Sequence, residues 1–72
     1  MPNLSERLRE LRAKHNVTQA KLSDNCDIAL RSLRYYESGE RIPDGNTIIK
    51  LCTYFNVSAD YLLGLSDNPE RR

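Results

Sequence analysis

Residues 18–37, with the sequence TQAKLSDNCDIALRSLRYYE, decide the fold of this chain. They predict two short helices joined by a tight connection. Thr18 is a good N-cap for the first of these helices, which is expected over residues 19–25. Asp27 lies where the chain must turn sharply, and aspartate tolerates a positive φ better than most side chains, although less well than glycine. The second helix of the pair is expected over residues 29–37.

The second helix of this pair has two different faces. Helical periodicity puts Leu33 at the centre of the buried face and sends Arg31 and Tyr35 to the opposite side. Arg34 falls at the flank of that outer side. Leu30 lies between the two faces, where the pattern fits both a core residue and a side chain that projects into a groove. The outer side is therefore the candidate binding surface.

Apolar residues at helical spacing predict three further helices around this pair. Each begins at a polar side chain that can cap it and ends at a residue that can leave the helix. The limits are Asn3 and Asn16 for the first helix, Asp44 and Asn56 for the fourth, and Ser58 and Gly64 for the fifth. The buried face of the fourth helix is expected to hold Ile48, Ile49, Leu51, Cys52 and Phe55.

The predicted architecture is a single all-α domain of five short helices over residues 1–66. Residues 67–72 are polar and contain Pro69, so we expect a frayed C-terminal tail. No apolar run approaches the roughly 20 residues that span a bilayer, and the N-terminus has no signal-peptide pattern. These features predict a cytoplasmic protein without a membrane partner.

The charge and the cysteine content exclude some classes of function without selecting one. The chain has 11 basic and 10 acidic residues, so composition alone does not indicate nucleic-acid binding. Cys26 and Cys52 lie in apolar-periodic stretches, which favours buried free thiols over a disulfide. The sequence contains no zinc-ligand spacing, no nucleophile with a base and no glycine-rich phosphate loop. We therefore expect no metal, no cofactor and no enzymatic activity.

Two short helices with a connection of about four residues fit the helix-turn-helix motif, although many all-helical proteins contain such a pair. A larger set of residues makes the comparison specific. It comprises LRELR at 8–12, VTQ at 17–19, Leu22, Ile28, Leu33, YESGER at 36–41, PD at 43–44, NVS at 56–58 and DYLL at 60–63. Through this set the chain resembles the Cro/CI-type helix-turn-helix family, the lambda repressor-like or XRE-type DNA-binding domains.

The resemblance implies which residues contact DNA. The base contacts in the major groove would come from Leu30, Arg31, Arg34 and Tyr35, since arginine binds guanine O6 and N7 in a bidentate manner and a leucine or a tyrosine ring edge can meet a thymine methyl. The phosphate contacts would come from Thr18, Gln19, Ser38, Gly39 and Arg41. A salt bridge between Arg12 and Glu37 would orient the recognition helix. Without DNA, the same arginines would form an ordinary solvated face and Gln19 would be an ordinary helix former.

The chain departs from the family pattern at three positions. Asp27 stands where the family usually has glycine, Ala29 where it usually has a serine or threonine cap, and Lys21 where it often has glutamate. A lost cap costs on the order of 1 kcal/mol, and the helix dipole opposes Arg31 in the first turn by roughly 0.3–1 kcal/mol. DNA phosphates would offset the unfavourable position of Arg31.

These features predict a sequence-specific regulator of transcription, a prokaryotic or phage repressor that binds a palindromic operator in double-stranded DNA as a homodimer. Because the chain ends soon after the fifth helix, pairing is expected to use Tyr61, Leu62, Leu63 and Leu65. The alternative from another class is a protein-interaction module on the same fold, antirepressor-like or antitoxin-like, with little DNA binding.

Overall fold

The computed structural model describes residues 3–71, and in that range it contains five helices and no strand. They are α1 (Leu4–Lys14), α2 (Gln19–Cys26), α3 (Leu30–Ser38), α4 (Gly45–Phe55) and α5 (Ala59–Leu62). The predicted all-α architecture is confirmed. Several limits differ from the prediction by a residue. In the helix pair, α2 continues to Cys26, and α3 begins after Ala29 and continues to Ser38, while α5 ends at Leu62. The parts of the predicted domain and tail at positions 1, 2 and 72 lie outside the described residues.

Four of the five helices begin at a side-chain cap. Asn3, Thr18, Asp44 and Ser58 each accept a hydrogen bond from the backbone N–H three residues later. Such a bond satisfies one of the N–H groups that lack an intrahelical partner. The exception is α3, whose N-cap position is occupied by Ala29 and has no side-chain hydrogen bond.

The core consists of apolar side chains from all five helices and from the connections between them. α1 packs against α3 and α5, while α2 packs against α3 and α4. The buried members are Leu8, Leu11, Leu22, Cys26, Ile28, Leu33, Leu51, Cys52, Phe55, Val57 and Leu62. Both cysteines are buried free thiols, and their burial raises the pKa of Cys26 and of Cys52. Both thiols therefore stay protonated at neutral pH.

The prediction for α4 was wrong at Ile49, whose side chain is 64% exposed. The inward stripe of α4 contains Leu51, Cys52 and Phe55, with Ile48 packed against the core. Ile49 lies about 100° around the helix from Ile48 and outside this stripe.

In the described range of residues 3–71, no helix is long and apolar enough to cross a membrane.

The turn between α2 and α3 depends on a left-handed residue. Asp27 has φ 53° and ψ 49°, the αL conformation that commonly ends a helix. The backbone N–H of Ile28 then donates to the carbonyl of Ser23 at 3.1 Å, and the Ser23 hydroxyl donates back to the Ile28 carbonyl. These two hydrogen bonds between Ser23 and Ile28 close the connection between α2 and α3, and the Ile28 side chain is buried.

The C-terminal segment, predicted to be a frayed tail, contacts the helical domain at two residues. The Ser58 N–H donates to the Pro69 carbonyl at 2.9 Å, and Asp67 pairs with Arg7 at 3.3 Å. Arg7 is only 4% exposed, and its guanidinium carbon lies 3.9 Å from the centroid of the Tyr61 ring. Asp67 thus supplies a carboxylate to a buried cation of α1, and Pro69 supplies a carbonyl to the backbone N–H at the start of α5.

Candidate nucleic-acid interface

The outer side of α3 exposes two cations above a fully buried leucine. Leu33 is fully buried, whereas Arg31 on the opposite side of the helix and Arg34 at its flank are exposed. Tyr35 is half-buried. Leu30 is also half-buried. Leu30 and Arg34 both line a hollow of about 420 Å³ that lies between α3 and the N-terminus of α2. Leu30 is therefore neither a fully buried core residue nor a fully exposed one, and its projection into a groove stays a prediction.

The N-terminus of α2 borders the same hollow. Thr18 caps the helix by accepting from the Lys21 N–H at 3.1 Å, and the first turn of a helix has further N–H groups without an intrahelical partner. Gln19 lies next to it, and its amide nitrogen donates to Glu37 Oε1 at 3.2 Å. An amide NH₂ carries two donors, so one of them is left for a ligand.

An ion pair joins α1 to the end of α3. Arg12 Nε and Nη2 bind the two carboxylate oxygens of Glu37 at 2.6 Å and 2.8 Å, while Arg12 Nη1 donates to the Val17 carbonyl at 3.2 Å. Glu37 is only 4% exposed. The hydrogen bonds to Glu37 raise the pKa of Arg12. This fork geometry holds both side chains in one orientation.

We call the Arg12–Glu37 ion pair and the further hydrogen bonds to Glu37 the tether. Two more residues belong to it, and they were not assigned to it from the sequence. Arg9 donates from Nη1 to the backbone carbonyl of Glu37, and Gln19 adds its bond to the Glu37 carboxylate. The signal for Arg9 was available, because it lies three residues before Arg12 and therefore on the same side of α1. The signal for Gln19 was not, because its link to Glu37 depends on how α2 packs beside α3.

The loop after α3 is built on the carbonyl of Tyr35. This oxygen accepts the Glu40 N–H at 3.0 Å, the Arg41 N–H at 3.4 Å and the Ser38 hydroxyl at 3.1 Å. Gly39 has φ 82°, a conformation that side-chain-bearing residues rarely adopt. Ser38, Gly39 and Arg41 are all exposed.

The three arginines of this surface have no carboxylate partner between residues 3 and 71. Among the residues that the structure describes, Arg31, Arg34 and Arg41 form no ion pair with a carboxylate, since the two ion pairs found there involve Arg7 and Arg12. The small net charge of the chain is compatible with exposed, unpaired arginines on this side of the molecule, because net charge does not fix where the charges lie. No group of three or more potential metal ligands occurs between residues 3 and 71.

The predicted pairing segment is only partly available at the surface. Leu65 is 71% exposed, and Tyr61 and Leu63 are half-buried. Leu62 is fully buried, so its assignment to a pairing surface was wrong. The reason is that α5 is one turn long and must direct one apolar side chain into the core to be held in place.

A capped α2, a left-handed turn and an α3 with exposed arginines define a lambda repressor-like helix-turn-helix domain. The helix-turn-helix family model matches residues 8–62, and the chain belongs to this family, in its XRE-type branch.

Curated relatives are bacterial and phage regulators. The chain is 42% identical over 62 residues to the HTH-type transcriptional regulator ImmR of Bacillus subtilis, a match that covers 86% of this chain and 49% of ImmR. It is 38% identical over 61 residues to the cryptic phage CTXphi transcriptional repressor RstR of Vibrio cholerae, covering 85% of this chain and 54% of RstR. The chain thus spans about half the length of these relatives.

Solved structures have the same fold. The P22 c2 repressor in complex with a synthetic operator superposes with a TM-score of 0.84 at 27% identity, covering 92% of this chain and all of that one. A transcriptional regulator from Listeria innocua superposes with a TM-score of 0.79 at 34% identity, covering 86% of this chain and 58% of that one.

Proposed function

We propose that this chain binds double-stranded DNA with α3 in the major groove and regulates transcription, as a repressor. The observation that carries the proposal is the exposed set Arg31, Arg34 and Arg41, which has no carboxylate partner in the described residues. The similarity to a repressor solved on its operator and to the named regulators supports it. The proposal assigns no catalytic step, and it places the protein with its operator in the cytoplasm.

The base contacts belong to the outer side of α3. Arg31 and Arg34 both keep terminal N–H donors that can bind guanine O6 and N7, whereas Leu30 and the ring edge of Tyr35 suit the methyl group of thymine. The N-terminal half of α3 carries Leu30 and Arg31, which agrees with the docking of a recognition helix by its N-terminal residues.

The phosphate contacts belong to both ends of the helix pair. Thr18 and Gln19 offer backbone N–H groups and one amide donor at the start of α2. Ser38, Gly39 and Arg41 offer a hydroxyl, backbone and a cation in the loop after α3. The Arg12–Glu37 tether would keep the angle between the two ends constant when DNA is bound.

Homodimer formation on a palindromic operator is the expected mode of binding, because a single domain of this size contacts few base pairs. The side chains that remain available for pairing are Tyr61, Leu63 and Leu65, of which Leu65 is the most exposed.

In vitro selection from a random duplex pool tests the function. We expect enrichment of an inverted repeat whose half-sites lie about 10 base pairs apart. Arg31→Ala should then relax discrimination at one base pair by about 1–3 kcal/mol, while Arg41→Ala should weaken all sequences alike and reduce the salt slope by about one. Equal losses on selected and scrambled duplexes for Arg31→Ala would contradict the role of Arg31.

A protein-interaction module is the second candidate, and two observations favour it. The net charge is only +1, and Ile42 and Ile49 are exposed by 83% and 64%. Such a module would bind random duplex weakly and with little dependence on salt, whereas a DNA-binding domain loses affinity steeply as salt rises. The salt titration of duplex binding therefore separates the two candidates.

A further inference from the structure

The ring of Tyr35 lies beside two of the exposed arginines. Arg31 precedes Tyr35 by four residues, one turn along α3, and its Nε donates to the Tyr35 hydroxyl at 3.3 Å. The guanidinium carbon of Arg31 is 5.8 Å from the ring centroid. The guanidinium carbon of Arg41, in the loop after α3, is 4.5 Å from the same centroid. One side chain thus contacts a cation of the helix and a cation of the loop.

The hydrogen bond to Arg31 leaves a particular part of the guanidinium free. The group carries five N–H donors in a fixed plane, and the bond to Tyr35 uses the single donor on Nε. The two terminal nitrogens, Nη1 and Nη2, keep their donors. These two atoms form the end-on fork that can bind both acceptors of guanine, O6 and N7.

The contact with Arg41 is reinforced through the backbone. Besides the cation–π contact with the ring, the Arg41 N–H donates to the Tyr35 carbonyl at 3.4 Å. The Glu40 N–H and the Ser38 hydroxyl bind the same oxygen. The position of the Arg41 guanidinium therefore depends on residue 35 twice, once through the carbonyl and once through the ring.

We propose that Tyr35 is a positioning residue, which sets Arg31 end-on for a guanine and holds Arg41 beside the recognition helix for a phosphate. This inference rests on the proposed function and changes the part assigned to Tyr35, because its hydroxyl acts on the DNA through Arg31. A long arginine side chain loses rotamer freedom when it binds, and holding it in advance removes part of that loss. The gain for one such side chain is about two- to tenfold in affinity.

Two substitutions at this position separate the hydroxyl from the ring. Tyr35→Phe keeps the ring and its edge, so the contact with Arg41 and any contact with a thymine methyl survive. Tyr35→Leu removes both. Tyr54→Phe is the matched control, since it deletes a hydroxyl that is bonded to Asn25 on α2 and not to an arginine of this surface.

The first measurement needs no DNA. Nuclear magnetic resonance of the free chain should show an ordered Arg31 Nε–H group, with order lost in Tyr35→Phe and retained in Tyr54→Phe. The δ-methylene protons of Arg41 should show an upfield ring-current shift that is retained in Tyr35→Phe and lost in Tyr35→Leu. Thermal unfolding of Tyr35→Phe should match the wild type. An Arg31 signal that does not respond to Tyr35→Phe would overturn the proposal.

The second measurement is a double-mutant cycle on the selected duplex. Tyr35→Phe should weaken binding about two- to tenfold, and Arg31→Ala should then cost correspondingly less in the Tyr35→Phe background than in the wild type. An equal cost in both backgrounds would overturn the positioning role while leaving the proposed function intact. Failure of the wild-type chain to enrich any duplex would overturn the proposed function and, with it, the role of Tyr35 in DNA recognition.

Discussion

At the scale of single residues, Asp27 carries the most unusual backbone requirement of the helix pair. It adopts φ 53° and ψ 49° at the end of α2, a conformation that glycine adopts without steric cost. Its carbonyl accepts a hydrogen bond from Lys50 Nζ at 3.3 Å, so the backbone of the turn is also tied to α4. The turn therefore adopts a left-handed conformation at an aspartate, although glycine would adopt it at lower steric cost.

Asp27→Gly should raise the free energy of unfolding by about 0.5–1 kcal/mol. Glycine removes about 1–2 kcal/mol of strain in the left-handed conformation. It costs about 0.5–1 kcal/mol more in chain entropy on folding, which is less than the strain removed. The Lys50 bond to the backbone carbonyl is unaffected. Urea unfolding measures the change, and Asp27→Ala is the control that should destabilise. A less stable Asp27→Gly chain would mean that the aspartate side chain contributes a contact of its own.

At the scale of elements, α3 differs from the other four helices because its N-terminus has no side-chain cap. Ala29 has φ −56° and ψ 133°, extended enough for a cap, but its methyl group cannot accept a hydrogen bond. The element proposed to enter the DNA groove therefore begins with unsatisfied N–H groups, and Arg31 in its first turn adds an unfavourable charge.

Ala29→Ser should stabilise the chain by about 0.5–2 kcal/mol, because the hydroxyl can accept the Ser32 N–H. Thr18→Ala is the matched reverse change, since it deletes an existing cap at the start of α2, and it should cost a similar amount. Both are measured by thermal unfolding. An unchanged stability for Ala29→Ser would show that the backbone at residue 29 does not bring the hydroxyl to the N–H.

The cap of α4 makes stability depend on pH. Hydrogen bonds from the Thr47 side chain and backbone lower the pKa of Asp44 below its ordinary value. A lowered pKa in the folded state contributes stability that is fully present above the unfolded pKa of about 3.9 and is lost as pH falls through the folded value.

Asp44→Asn tests this dependence, because asparagine still caps but does not titrate. From pH 7 to about pH 5, the difference in unfolding free energy between the wild type and Asp44→Asn should be constant. Below about pH 3.9, the wild type should lose stability relative to Asp44→Asn. Unfolding by urea over a pH series measures it. A difference that stays constant down to pH 2 would contradict the lowered pKa of Asp44.

At the scale of the whole molecule, the hydrogen bonds at Glu37 connect α1 and α2 to the end of α3. The carboxylate takes bonds from Arg12 and Gln19 and the backbone carbonyl takes one from Arg9, so α1, α2 and α3 meet at one buried residue. A domain of this length has a total stability of only about 0.05–0.15 kcal/mol per residue. Loss of one partner in a buried pair therefore matters for the entire fold.

Glu37→Gln should destabilise the chain by about 3 kcal/mol, near the lower end for such pairs because the Arg12 side chain retains 22% exposure. The double variant Arg12→Met with Glu37→Leu removes both charges and should be more stable than Glu37→Gln alone, since no charge is left unpaired. Urea unfolding compares the three chains. Glu37→Gln within about 1 kcal/mol of the wild type would show that the pair contributes little.

The features that the sequence by itself determined are those with local causes. The caps at Asn3, Thr18, Asp44 and Ser58 and the left-handed Asp27 need only residues within about one helical turn, so spacing and residue type were sufficient to place them. The same reasoning failed at Ile49, where a run of adjacent apolar residues does not say which of them faces the core. Family resemblance, rather than periodicity, supplied the pairing of Arg12 with Glu37.

Tertiary structure alone decided the contacts between residues distant in sequence. The bond from Gln19 to Glu37, the burial of Leu62, the tail held by Arg7 and the position of Arg41 beside Tyr35 depend on the angles at which helices and loops pack. Those angles result from the fit of the whole core, to which all five helices contribute, and no local pattern encodes them. For this reason residues 18–37 were sufficient to predict the helix pair, while only the packed molecule shows which contacts Arg31 and Arg41 make with Tyr35.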